Sequence, residues 1–539
     1  MKHHKIYVFV VALVLLWGCL HIPGIIYGTS QLPLHQSYVG DEQSPVNGAF
    51  HILESKSLFG LRNVWTVYYG PVFSVLALPA VIADAGIKYL KGDIHSAQDY
   101  KQSVLFDWGN IVIFCRIISV LFAIGFLCAL YYFFKSSIKK SFSKEALLMV
   151  SLLAVNYYFF EYSNFFKHWI FAMSALGMQW LSLKYILEDK GKKWWIIHVI
   201  VTLFAAGVSY VSLSHLIIWI PVIVSWIRRK EWTKFIPLIR MFYTVIMGML
   251  LIIWWHPVIL FRYFSMVGIG NENVGNSLNL QNPLLVSGGS LLYYCTLVIL
   301  NCLPLIIAGI LLVIALWKEK IYARLEVWII ALPGIFYFIL FAPAPHHEGR
   351  YMLPTIVSLV VLVGYLYIEY RKLQRSQIYT RWVVGLLILY ALFHAIHIAG
   401  WIGVYSQGPG EQAMIHHVLS VAKEGKTHAL IVQGYIAGHV HTLEAYKNYA
   451  LSHDKGNLSL YKEILSTPSP TGVDLLDATY VPFDQYEKDP SIAKDFDQVV
   501  IMNVPRKDLG ELNQFDFIDE SIMRIWHARD LLPSYTYLK

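Results

Sequence analysis

The fold class this sequence predicts is a polytopic α-helical membrane protein carrying a small C-terminal α/β domain, and three observations predict it. Of 539 residues, 56% are hydrophobic and only 14% are charged, where a soluble domain carries about 25% charge. Apolar runs of about 20 residues, enough to cross a bilayer, recur along roughly the first 400 positions. Lys and Arg cluster in every second connection between those runs, as membrane orientation requires.

Taken in order, the basic start MKHHK leads into an apolar run from Ile6 to Tyr27 that is too long for a signal-peptide core, so it reads as a retained signal-anchor helix. Further runs lie near 110–134, 146–163, 168–186, 194–209, 211–227, 236–260, 290–317, 325–342, 351–369 and 382–403, giving about eleven spanning helices. Residues 194–227 are too long for one crossing, and the polar SYVSLSH supplies the turn. The connections KSSIKKSFSK, KYILEDKGKK, RRKEWTK, KEKIYAR and RKLQRSQIYTR are cytoplasmic by the positive-inside rule, which puts the N-terminus inside and the C-terminal domain outside the cytoplasm.

One stretch competes with this count. PVFSVLALPAVIADAGIKYL, starting at Pro71, is apolar enough to cross, but a crossing there would move the four lysines of KSSIKKSFSK to the outer side. Pro71, Pro79 and Asp84 also weaken it as a straight span. The expectation is an interfacial or re-entrant helix inside a large first outer loop, residues 29–109.

The chain therefore divides into a membrane domain, 1–404, and a soluble extracytoplasmic domain, 405–539. In the latter, GEQAMIHHVLSVAKEGK reads as an amphipathic helix, HALIVQG and QVVIMNV as buried strands, and TPSPTG as a turn. It contains no glycine-rich phosphate loop, so no nucleotide site is expected. The net charge of +8 does not mark a nucleic-acid binder: residues 403–539 hold 12 Lys/Arg against 18 Asp/Glu, so the positive excess belongs to the short loops between spans. The five cysteines all lie in apolar segments and form neither a disulfide framework nor a zinc-ligand spacing.

Candidate chemistry gathers on the outer side. In SYVGDEQSPVNGAF, Asp41 and Glu42 precede a helix start, with Ser44 as the expected cap, Pro45 in the first turn and Val46, Phe50 and Leu53 as one apolar face lying on the membrane. A helix N-terminus favours ionised carboxylates by about 0.3–1 kcal/mol. Such a carboxylate can take a proton from an incoming hydroxyl or hold a divalent cation; the bland alternative is simple helix capping. The loop APAPHHEGRYMLP concentrates His346, His347, Glu348, Arg350 and Tyr351, with Arg350 suited to bidentate phosphate contact or, more plainly, to headgroup anchoring. Arg116, near the start of the second span, carries the same two readings. Lys167 and His168 in NFFKHWI, and His256, add polar groups on that side. SMVGIGNENVGNSLNLQNP, in the loop that follows His256, can close over a sugar or serve as a plain connector.

The order of these parts resembles the GT-C superfamily of integral-membrane glycosyltransferases, the group that includes protein O-mannosyltransferases and aminoarabinose transferases. The carriers of the resemblance are Asp41-Glu42 after the first span, the Tyr68-Tyr69-Gly70-Pro71 stretch, Arg116 leading a span, and His346, Glu348, Arg350, Tyr351 and Pro354 in a late outer loop. It covers about residues 1–400. It implies inverting transfer of a sugar from a polyprenyl-phosphate donor to a lipid, glycan or protein acceptor at the outer or lumenal face. Asp41 would act as base or, with Glu42, as ligand to a divalent metal; Arg116 and Arg350 would hold the donor phosphate; His346, His347, Glu348, Tyr351, Lys167 and His168 would line the substrate site. Gly70 stands where the commoner form has a second proline. The competing readings are a transporter or lipid flippase, which calls for broken or charged helices near the midplane, and a non-catalytic relative that binds a partner through its tail.

Overall fold

The computed structural model describes residues 13–29, 42–62, 69–106, 108–138, 143–257, 288–342, 349–373, 377–406, 417–418, 420–433, 477–503 and 534–538. Among them, eight helices are long and apolar enough to cross a membrane, and up to ten if each of two bent pairs counts as one span. The chain is a polytopic α-helical membrane protein. All eleven apolar segments expected from the sequence are helical over most of their described length.

The chain forms two compact units. The first comprises Met1–His21, Ser44–Val81 and Cys115–Ala399; the second comprises Ile22–Gln43, Ile82–Phe114 and Gly400–Lys539. Helix α1 is Leu13–Ile26. Next come α2, Gln43–Ser55, α3, Pro71–Lys91, α4, Ala97–Phe106, and α5, Gly109–Ile138. A broken span follows as α6, Lys144–Ala154, and α7, Tyr157–Ser163, bent by 70°. Helices α8, His168–Leu187, α9, Lys193–Val208, α10, Trp219–Arg228, and α11, Phe235–Trp255, precede α12, Gly288–Ala315, α13, Leu325–Phe341, α14, Leu353–Lys372, and α15, Gln377–Tyr405.

Two helices form the heart of the first unit. The apolar window of α8 is 78% buried, as is that of the span ending in α14, whereas that of α11 is 22% buried. On α11 a row of Ile236, Ile239, Tyr243, Ile246 and Leu250 is left exposed at helical spacing, the pattern of a lipid-facing surface. The centre carries a polar network that the hydrophobic pattern did not announce. Tyr337 donates to His215 Nε2 at 3.1 Å, and His215 Nδ1 donates to Gln179 Oε1 at 3.1 Å. Gln179 Nε2 in turn donates to Thr202 at 3.0 Å. Trp219 Nε1, a donor only, reaches His198 Nε2 at 2.9 Å, so the proton of His198 sits on Nδ1 and goes to Ser182 at 2.8 Å. Every donor here finds an acceptor, as polar groups inside a membrane require. An amide in the middle of the chain of bonds makes this a packing device and not a proton path.

The break between α6 and α7 is equally accounted for. Asn156 accepts the Phe159 N–H at 3.0 Å and donates to the Tyr390 hydroxyl at 2.8 Å. His394 of α15 accepts the Tyr157 N–H on Nδ1 at 3.1 Å and presents Nε2 to the Asn301 carbonyl at 3.0 Å.

Two local expectations are corrected. Helix α2 begins at Gln43, so Ser44 sits inside the first turn and Glu42 precedes the helix. Its face packed in the protein is Val46, Ala49 and Ile52, at 0–5% exposure, while Leu53 is 40% exposed. The 3.6-residue period allows either stripe, and alanine at 49 lets the helix approach its neighbours more closely than phenylalanine at 50. Helix α3 is continuous over 21 residues with Pro79 inside it, and it is one of the eight helices long and apolar enough to cross a membrane. A proline removes only one helical hydrogen bond, and buried Phe73, Ala77, Ala80 and Val81 hold the helix on both sides of it.

In the second unit, Asp84 is fully buried, paired with Lys88 at 3.2 Å and accepting from Asn110 at 3.2 Å. Burial, and then the Asp84 carboxylate, push the Tyr100 hydroxyl up from its ordinary range. The C-terminal region contains a four-stranded sheet in the order β2-β1-β3-β4: β1, His428–Gln433, lies parallel to β2, Asp477–Pro482, and to β3, Gln498–Asn503, and β3 is antiparallel to β4, Ser534–Tyr537. Leu430, Val432, Val481 and Val499 form its core. Both expected strands are present, and helix occupies part of the expected amphipathic segment; β2 and β4 are too short and mixed to have been read from pattern.

Candidate functional site at the NFFKHW turn

The stretch NFFKHW, residues 164–169, joins the end of the broken span to α8 and holds the candidate residues together. Phe165 lies under the Arg116 guanidinium, 5.5 Å from ring centroid to Cζ. Phe166 stacks on Phe73 of α3 at 4.7 Å. His168 lies 4.5 Å from the Tyr69 ring, and Trp169 meets Tyr351 edge-on at 5.8 Å. Tyr351 stacks flat on Phe341 at 4.7 Å and an interplanar angle of 3°. The Arg350 guanidinium lies 5.5 Å from the Tyr351 ring centroid. One six-residue turn thus links Arg116, Tyr69, and the Arg350-Tyr351 pair.

Local sequence explains why the parts sit as they do. Arg350 and Tyr351 occupy a 3-10 turn, Gly349–Met352, that leads into α14, whose second residue is Pro354. A Cβ at Gly349 would lie 2.6 Å from the Tyr158 ring, so only glycine lets that turn rest on α7. Arg116 is 1% exposed. It is therefore no headgroup anchor, and a buried guanidinium attracts an anion more strongly than one in water. Arg350 and Tyr351 are half-buried, His168 is buried against aromatic rings, and Lys167 is half-buried at the head of α8. His256 is buried and donates from Nδ1 to the Leu61 carbonyl at 2.9 Å, which pins the end of α11 to the segment after α2.

Glu42 is buried, at 1% exposure, in the second unit. Asp41, His346, His347, Glu348, Tyr68 and the glycine- and asparagine-rich part of the loop after His256 lie outside the described residues. Among the described residues, no group of three or more His, Cys, Asp or Glu side chains comes together that could hold a metal ion.

Glycine at position 70 has a physical reason. Its N–H donates to the Val208 carbonyl at 3.0 Å, a bond proline cannot make. A Cβ there would lie 2.0 Å from the Gly207 carbonyl oxygen. Gly70→Ala is expected to destabilise the protein by about 1–3 kcal/mol, the usual cost of overpacking. A thermal melt of the variant superimposing on wild type would contradict that contact.

What reading the sequence missed is the aromatic half of the site: Phe165, Phe166, Trp169 and Phe341. The signal was the density of rings in NFFKHW, which looked like ordinary span-end aromatics. No protein-family model matches the chain, and no curated protein matches it in sequence.

Proposed function

We propose that the chain is a GT-C-type glycosyltransferase of about eleven spans, moving a sugar from a polyprenyl-phosphate donor to a lipid, glycan or protein acceptor at the outer or lumenal membrane face. The observation that carries this reading is the NFFKHW turn, which links a buried arginine, Arg116, to a second arginine, Arg350, through aromatic rings. Two arginines beside stacked aromatics suit a phosphate attached to a long apolar chain.

In the proposed step, Asp41 takes the acceptor hydroxyl proton as that oxygen attacks the anomeric carbon from the face opposite the phosphate. The bond from anomeric carbon to phosphate oxygen breaks, and the polyprenyl phosphate leaves with the electron pair, its charge held by Arg350 and Arg116. The configuration inverts. Preorganised positive groups in a dry site stabilise such a leaving group more in the transition state than before it.

A transporter reading draws on the broken span at Asn156, but Asn156 and His394 already satisfy the freed backbone groups, so the break offers a substrate little. The deciding measurement is carrier-lipid binding. Arg350→Ala is expected to weaken binding of a polyprenyl phosphate about tenfold, the value of one charged contact, with little effect on the melt. Unchanged binding would return Arg350 to headgroup anchoring.

A further inference from the structure

A second site lies at the opposite end of α8, where the basic connections are. A cavity of about 130 Å³ is lined by Phe133 of α5, by Trp180, Lys184 and Glu188 on and after α8, by Glu326 in the first turn of α13, and by two aliphatic side chains. Its floor is fixed, because Trp180 Nε1 donates to the Ile329 carbonyl at 3.1 Å. Lys184 is held from one side: its ammonium donates to the Phe133 carbonyl at 3.2 Å and to Ser137, with the Phe133 ring 4.9 Å away. An ammonium has three N–H groups, so one is left for a ligand.

The charges around the cavity are not balanced. Glu369, which also acts electrostatically on Lys184, is paired with Arg324 and Lys372. Glu188 pairs with the exposed Lys190 at 3.9 Å, and Glu188 and Glu326 both act electrostatically on Lys184. The lining thus presents one cation, two carboxylates and two aromatic side chains, of which the Phe133 ring already lies against the Lys184 ammonium. An anionic headgroup would meet a net negative wall. A headgroup with a phosphate for Lys184 and a primary ammonium for Glu326 and Glu188 matches both signs. The ammonium N–H groups can donate to carboxylates, which a quaternary ammonium cannot do.

We propose that this cavity binds the headgroup of an ethanolamine phospholipid from the leaflet on the basic side, a site separate from the candidate transfer site at the NFFKHW turn. It does not depend on what reaction that turn performs. The lipid is favoured over a free headgroup because the lining comes from three apolar helices, Phe133 on α5, Trp180 on α8 and Ile329 on α13.

The test is native mass spectrometry of the delipidated full-length chain, titrated with dioleoyl phosphatidylethanolamine, phosphatidylcholine or phosphatidylglycerol. The ethanolamine lipid is expected to be retained over the other two. Lys184→Gln and Glu326→Gln are each expected to lower its retention about tenfold, the value of one charge-assisted contact, while the exposed Lys318→Gln leaves it unchanged. Glu326→Gln keeps the test open if the Lys184 variant folds poorly. Equal uptake of the three lipids, unchanged retention in Glu326→Gln, or displacement by an equal concentration of free phosphoethanolamine would overturn the proposal.

Discussion

Asp41→Asn is expected to lower sugar transfer by at least about 100-fold, with the melting profile of the purified chain unchanged. The size follows from the role: a positioned general base contributes about 10² to 10⁴ in rate, and an amide of the same shape cannot take a proton. The unchanged melt follows from position, since asparagine is as good as aspartate beside a helix start. The assay is a panel of polyprenyl-phosphate sugars offered to wild type and variant at equal protein concentration, with the melt recorded on the same samples. Asp41→Asn retaining full transfer would reduce Asp41 to helix capping and leave the two arginines without a chemical partner. Wild type inert toward every donor would remove the glycosyltransferase reading itself.

His394→Leu is expected to cost about 2–5 kcal/mol of stability, the largest effect on folding foreseen for a single side chain. The imidazole satisfies two buried main-chain groups in opposite senses, accepting from the Tyr157 N–H and donating to the Asn301 carbonyl. Leucine fills the space but strands the Tyr157 N–H, at about 1–3 kcal/mol, and takes one hydrogen bond, about 0.5–1.5 kcal/mol, from the Asn301 carbonyl; hydrocarbon surroundings offer no water to replace the lost partner. His397, one turn on and half-buried, hydrogen-bonds among the described residues only to the Phe393 carbonyl of its own helix, so His397→Leu should fall well short of that loss. Equal melting temperatures for the two variants would show that the helix break does not depend on His394.

The sequence made the membrane class legible because it depends on summed composition, and summed composition survives local error. The apolar segments were found for the same reason. The stripe of α2 was misread because Val46-Phe50-Leu53 and Val46-Ala49-Ile52 are both helical spacings, and only the neighbours decide between them. The linking of Arg116 to Arg350 was not legible either. Their sequence separation carries no distance, and the parts that join them, Phe165 and Trp169, are residue types every membrane protein uses at span ends. The polar centre of Gln179, His198 and His215 was hidden in runs whose mean character is apolar.

The break at Asn156 also sets an order for making the protein. Its side-chain partner Tyr390 lies 234 residues further along the chain and His394 still later. At about 5–20 residues per second of synthesis, that interval is on the order of ten to fifty seconds. For that time the bent α6–α7 pair sits in the membrane with backbone groups that its final partners have not yet reached. Insertion of α15 is therefore the event that locks the bundle, and a ribosome stalled before it leaves behind a chain whose first half cannot close.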